Sequence, residues 1–180
     1  LYFVSDAARG FWNVFVCDVG AGAAPALALA EPMEVEFALP AWLFRRDSLA
    51  VWSEHEVAVV YDGKIGIIDL STKTLAPVPV EGYDLFGNIV TVLPKKAGEA
   101  PRMFAIAGGP AVPSAVVEID VSAGRARVLC SSISPDSLSE ITPYFSLPRQ
   151  LTFPTEGGLE SHAIFYPPFN PDLEPLDPSE

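Results

Sequence analysis

Cysteine, histidine and positive charge are the scarce ingredients of this 180-residue chain. Two cysteines, Cys17 and Cys130, are too few for a disulfide framework. Both lie in or beside apolar strand-like runs, so two buried free thiols in a reducing, cytoplasmic setting are expected. Two histidines, His55 and His162, stand far apart in the sequence, and a zinc site needs clustered Cys or His. Lysine and arginine number 11 against 23 acidic residues, a formal net charge of −12. Such a surface repels phosphate backbones and anionic lipid headgroups, so neither nucleic acid nor a membrane is an expected partner. The chain also lacks a run of 18 apolar residues, so it reads without a transmembrane helix. No basic segment precedes an apolar one at the start, so no signal peptide is read there. The initiator Met is missing too, and the chain reads as cut from something longer.

Apolar residues are plentiful, at 49% of the chain, which is ample for a core. Their arrangement carries a period. Asp18, Asp69 and Asp120 close three similar runs, Val14–Val19, Ile65–Leu70 and Val116–Val121. The intervals 69 minus 18 and 120 minus 69 both equal 51 residues. A few small or polar residues follow each aspartate, and then a second apolar run. A period near fifty residues built from strand, turn and strand points to radial sheets, with one β-propeller blade per repeat. An aspartate at a strand end can also cap the N–H groups of the following turn, a role that needs no ligand.

The first repeat reads as strands Leu1–Ser5, Phe11–Asp18 and Ala26–Ala30, with its innermost strand expected before residue 1. The second reads as Ser48–Trp52, Val57–Tyr61, Lys64–Leu70 and Leu75–Val80. Asp62-Gly63 joins its second and third strands with the two-residue hairpin signal. The third reads as Asn88–Leu93, Met103–Ala107, Ala115–Val121 and Arg125–Cys130, with Gly108–Pro113 as a Gly/Pro turn. Ser131–Ser146 is rich in Ser and Pro and has no period, so it reads as a linker or an uncompleted repeat. Arg149–Phe153 and Ser161–Tyr166 are two further strands around a turn at Pro154–Gly158. An acidic proline-rich tail runs to Glu180, and its prolines forbid regular ladders. The expected fold is all-β: about two and a half blades in residues 1–147 (about 1–31, 40–81 and 86–131, then a linker at 131–147), with a composition shift near 147.

Catalytic patterns are mostly missing. No Gly-x-Ser-x-Gly elbow occurs. Gly108-Gly109 and Gly157-Gly158 precede neither a helix nor Lys-Ser/Thr, so neither reads as a phosphate loop. His55 reads as a solvated loop residue and His162 as a structural histidine. Glu34/Glu36 and Glu54/Glu56 have strand spacing and read as solvated surface. Phe11, Trp12, Trp42, Phe44 and Trp52 read as packing between blades rather than a ligand cage. No catalytic, cofactor-binding or metal-binding residue is assigned, and no cofactor is expected.

The order of the motifs resembles one family. Leu1-Tyr2-Phe3-Val4-Ser5-Asp6 with Gly10-Phe11-Trp12-Asn13-Val14-Phe15 resembles a blade of the prolyl oligopeptidase family, in its dipeptidyl aminopeptidase/acylaminoacyl-peptidase branch. Pro40-Ala41-Trp42-Leu43-Phe44 is similar to the start of that branch's next blade. Ala107-Gly108-Gly109-Pro110 with Pro113-Ser114-Ala115-Val116 is similar to a later one. Leu151–Gly158, His162-Ala163 and Tyr166-Pro167-Pro168-Phe169-Asn170-Pro171 resemble the crossing into the α/β-hydrolase domain. The resemblance implies that residues 148–180 begin a truncated hydrolase domain. It implies a parent serine peptidase that acts on short peptides or acylated amino acids. The family's catalytic serine, aspartate and histidine match no position here. This piece would be the parent's non-catalytic lid, with the missing blades and the hydrolase domain as partners; a stand-alone propeller scaffold for protein binding is the alternative, and self-association is a further expectation.

Two and a half blades leave two apolar faces uncovered, and large exposed apolar patches invite association. Residues 1–147 expressed alone should therefore fail to give a stable monomer. Thermal unfolding checks this: a soluble monomer with one cooperative transition would contradict it.

Overall fold

The computed structural model describes residues 1–38, 42–43, 47–96 and 98–173. It divides into two compact units, Leu1–Gly109 with Ser114–Ser131, and Pro110–Pro113 with Ser132–Glu180.

The first unit holds three antiparallel sheets, each a meander of sequential strands. Strands β1 (Tyr2–Ser5), β2 (Asn13–Val16) and β3 (Ala26–Leu27) form the first. Strands β4 (Leu49–Val51), β5 (Glu56–Tyr61), β6 (Lys64–Asp69) and β7 (Thr74–Pro77) form the second. Strands β8 (Leu85–Val92), β9 (Arg102–Gly109), β10 (Val112–Asp120) and β11 (Arg125–Ser131) form the third. This is the partial propeller read from the period, with strands within a few residues of their expected places. The start of the second blade, Pro40-Ala41 and Phe44, lies outside the described residues, as does the tail from 174.

Local chemistry explains the hairpins. Asp62 and Gly63 both take positive φ, 46° and 70°. That pair makes the turn whose twist suits a two-residue β-hairpin. The turn between β9 and β10 is shorter than its glycines suggest. Gly108 and Gly109 end strand β9, and only Pro110 and Ala111 lie between the strands.

Side-chain alternation then stacks the sheets. In β5, Val57, Val59 and Tyr61 turn one way, onto Val14, Ala28, Leu29 and Phe37 of the first blade and its exit. Ala58 turns the other way and joins Ile65, Met103, Ala105, Val117 and Ile119 against the third blade. The second blade is thus buried on both faces, which is why Val57–Val60 is an unbroken apolar run rather than an alternating one. Phe37 and Tyr61 stack with ring centroids 5.6 Å apart. Asn13 is the fully buried polar residue beside this core. Its amide accepts from the Met33 N–H at 2.9 Å and donates to the Met33 and Phe11 carbonyls. Burial costs Asn13 little because its polar atoms are met.

Trp52 packs against the second core. Trp42 does not pack as expected: it is exposed, in a turn outside any strand. Cys17 and Cys130 are free, but neither is buried. Cys130 sits on β11, an edge strand of its sheet, and is exposed.

The second unit pairs β12 (Arg149–Pro154) with β13 (Glu160–Phe165) in an unbroken register from Arg149↔Phe165 to Pro154↔Glu160. The linker expected at 131–147 holds a helix, α1 (Pro135–Ile141), and a following 3₁₀ turn. Ser134 caps the helix by accepting from the Ser137 N–H, Pro135 opens it and Asp136 lies in its first turn. Those are helix-start signals, but seven residues are too short to show a 3.6-residue period. Ser146 then donates to the Pro167 carbonyl, and Tyr144 to Asp172, at 2.5 Å each.

Gly66 shows how closely the second blade is packed. A Cβ there would meet Leu75 at 2.6 Å and the Tyr61 ring at 2.9 Å. Gly66→Ala should lower unfolding stability by about 1–3 kcal/mol, in the range for overpacked cores, whereas Gly157→Ala in the second unit meets no steric block and pays only for its positive φ. Denaturant titration of both variants checks the difference.

Candidate functional site

The three periodic aspartates occupy equivalent places and do the same thing. Asp18 Oδ1 accepts from the Gly20 and Ala21 N–H groups at 3.0 and 3.1 Å. Asp69 Oδ1 accepts from Ser71 and Thr72 at 2.7 and 3.0 Å. Asp120 Oδ1 accepts from Ser122 and Ala123, both at 3.0 Å, and from the Ser122 hydroxyl at 2.6 Å. Each caps the turn after the third strand position of its blade, as expected of an acceptor at a strand end. Four residues after each aspartate the backbone is left-handed: Gly22 at φ 61°, Lys73 at 57° and Gly124 at 63°. The Lys73 carbonyl accepts from the Ala30 N–H at 3.0 Å, and the Gly124 carbonyl from the Glu81 N–H at 2.9 Å. Ala30 and Glu81 are themselves 51 residues apart, so the bond joining one blade's exit to the next blade's turn also repeats. The aspartates are structural, with carboxylates committed to the backbone.

Hydrogen bonds to these turns hold two of the carboxyls below the usual aspartate range. For Asp69 the Thr72 N–H is the main cause, and for Asp120 the Ser122 hydroxyl. Glu118 is lowered as well, by Arg102 and then Arg127.

The other sequence candidates stay apart from one another. His55 is exposed; its N–H donates to Ser53 Oγ at 3.3 Å and its carbonyl accepts from Leu70. His162 lies on β13 with Nδ1 3.0 Å from the Thr152 hydroxyl across the hairpin. Among the described residues neither meets a serine or cysteine side chain as a nucleophile–base pair would require. The paired glutamates are not all free surface. Glu36 accepts from the Trp12 N–H at 2.8 Å, and Glu56 from the Ser53 hydroxyl at 2.9 Å. Their strand spacing alone could not reveal these partners. Among the described residues no group of three His, Cys, Asp or Glu is placed to hold a metal ion, and no helix is long and apolar enough to cross a membrane.

The propeller unit carries several openings. A cleft of about 340 Å³ is lined by Glu36, Asp47, Ser48, Val60, Asp62 and Phe86, among others. Acidic oxygens beside apolar walls suit a cationic group with an apolar body, but no histidine is there to activate Ser48. Burial, followed by the charge of Asp62, raises the Tyr61 phenol above its usual value. A wider opening of about 690 Å³ is lined by Trp52, Arg102, Glu118, Asp120, Arg125 and Arg127, among others. Glu118 joins Arg102 at 2.6 Å and also Arg127, and Arg102 lies 5.0 Å over the Phe104 ring. These arginine charges are largely met within the protein. Among the described residues these polar groups serve as structural anchors.

The lowered carboxyls set an acid limit. A carboxyl whose folded pKa is depressed stabilises the fold above its unfolded pKa, and that stability is lost as pH falls through the folded value. Stability should therefore decline as pH drops below the ordinary aspartate value of 3.8. Asp69→Asn and Asp120→Asn should each flatten the decline, as melting temperatures measured down an acid series would reveal.

No family model matches the chain, and no curated protein matches it. Solved structures do. A puromycin-hydrolysing peptidase from Mycobacterium tuberculosis aligns with 96% of this chain at TM-score 0.72 and 28% identity. A puromycin hydrolase aligns with 94% at TM-score 0.71 and 27% identity, and a mutant of that enzyme in complex gives 0.72 and 27%. The chain spans about a quarter of the length of these proteins, 25% and 24%. Over that alignment the chain has the fold of a propeller segment such as these peptidases of the prolyl oligopeptidase family contain.

Proposed function

We propose that this chain is the non-catalytic propeller segment of a prolyl-oligopeptidase-like serine peptidase, limiting which substrates reach a hydrolase domain. The observation that carries the reading is the likeness to puromycin-hydrolysing peptidases over 96% of the chain. The capped aspartates and the separated histidines support a supporting role over a catalytic one. In this reading the three sheets are blades in residues 1–147, and the β12–β13 hairpin begins the hydrolase sheet from about residue 148. The partners are the remaining blades and the hydrolase domain. The substrates are short peptides or acylated amino acids of the acylaminoacyl or dipeptidyl kind, and the location is the cytoplasm. A propeller admits by size: rigid sheets around an opening pass extended peptides and hold back folded chains.

A second reading is a propeller scaffold that binds other proteins. The exposed Ile106, Val116 and Val128 on the third sheet favour it. A Gly-x-Ser-x-Gly elbow encoded after residue 180 separates the two in favour of the peptidase.

Hydrolysis tests the proposal. The 180-residue chain alone should not turn over a fluorogenic aminoacyl substrate. The parent protein should cleave short peptides and slow as peptide length grows. Turnover by this chain alone would end the non-catalytic assignment, and equal rates on short and long peptides would end the gating role.

A further inference from the structure

We propose that residues 142–147 and 166–172 form a clamp across the open end of the β12–β13 hairpin, with Tyr144 and Ser146 as its positioning residues. The clamp lies wholly within the second unit, and only its consequence for the parent rests on the peptidase reading. The ladder of β12 and β13 ends at Arg149↔Phe165. Beyond it stand Pro143 and Pro148 on one flank, and Pro167, Pro168 and Pro171 on the other. Proline has no N–H to give, so backbone pairing cannot continue through these residues. An isolated two-stranded hairpin is marginal in water, so flanks without a ladder have little to hold them together. Hydroxyl groups take over here. Ser146 Oγ donates to the Pro167 carbonyl at 2.5 Å, and the Tyr144 hydroxyl donates to Asp172 Oδ2 at 2.5 Å.

Each side of the clamp is also ordered locally. On the first, Thr142 Oγ1 donates to the Leu138 carbonyl at 2.7 Å, and the Phe145 N–H donates to the Thr142 carbonyl at 3.2 Å. These bonds fix the 3₁₀ turn Thr142–Tyr144 at the end of α1. On the second, Asn170 Oδ1 accepts from the Asp172 N–H at 3.0 Å, and the Asn170 carbonyl accepts from the Leu173 N–H at 3.3 Å. That turn carries the Asp172 carboxylate to the Tyr144 hydroxyl. A hydroxyl donating to a carboxylate makes a stronger bond than one between neutral groups. Asp172 accordingly holds the Tyr144 phenol above its usual value. In the peptidase reading, residues 142–147 then belong to the entrance of the hydrolase sheet and not to a bending linker.

Amide hydrogen exchange of the full 180-residue chain, read by mass spectrometry, tests the clamp. Tyr144→Phe should speed exchange in 144–147 and in 169–173 together, by about tenfold, as loss of one hydrogen bond to a charged group implies. Asp172→Ala should speed the same two segments by a similar factor. The double variant should exchange no faster than either single one, because both changes remove one bond. Unchanged rates, faster exchange on the altered side alone, or effects that multiply in the double variant would each overturn the proposal. Ser146→Ala, which removes the second bond, should also loosen both segments, and it carries the test should a change at Tyr144 or Asp172 unfold the hairpin. The two readings fail separately. Unchanged exchange sinks the clamp and leaves the peptidase reading standing, whereas turnover by this chain alone sinks the non-catalytic assignment and leaves the exchange result standing.

Discussion

Apolar contact between successive sheets is the constraint on which the propeller unit depends. A four-stranded sheet has two faces, and the second blade buries both. Val57, Val59 and Ile68 meet the first blade, while Ala58 and Ile65 meet the third. Burial of side chains of this size contributes on the order of 1.5–3 kcal/mol each, more than the exposed ion pairs of this chain can supply. Because the faces are close-packed, glycine is required where strands and rings approach most nearly, as at Gly66 beneath Tyr61 and Leu75.

Stacking alone would let sheets slide. The repeated turn supplies register. An aspartate gathers two N–H groups, the chain passes through a left-handed residue, and that residue's carbonyl meets the exit of the preceding blade. Lys73 adopts this conformation without being glycine, which indicates how firmly its surroundings impose it. Asn13 does a related job within the first blade by tying the Met33 backbone to β2.

These anchors consume the polar groups that sequence inspection would first nominate for chemistry. Carboxylates cap turns or pair with arginine, and the two histidines sit apart on a loop and a hairpin. A segment built this way contributes shape and rigidity. The chain aligns with one quarter of the length of a puromycin-hydrolysing peptidase.

Much of the fold was legible because strands and turns leave local marks. Alternation, the Asp-Gly pair at 62–63 and the interval from Asp18 to Asp69 to Asp120 were enough for the blades and the capping role. Helix α1 was missed because its seven residues cannot display a period, although Ser134 and Pro135 announced its start. Burial of the cysteines was misjudged because an apolar run does not say whether a neighbouring sheet covers it; Cys130 sits on an edge strand. Trp42 was misplaced for the same reason. Backbone conformation and periodicity are properties of neighbours along the chain, so the residues alone determined them. Which face is covered, and whether Glu36 finds the Trp12 N–H 24 residues away, depends on groups brought together only when the sheets stack, and tertiary structure decided those.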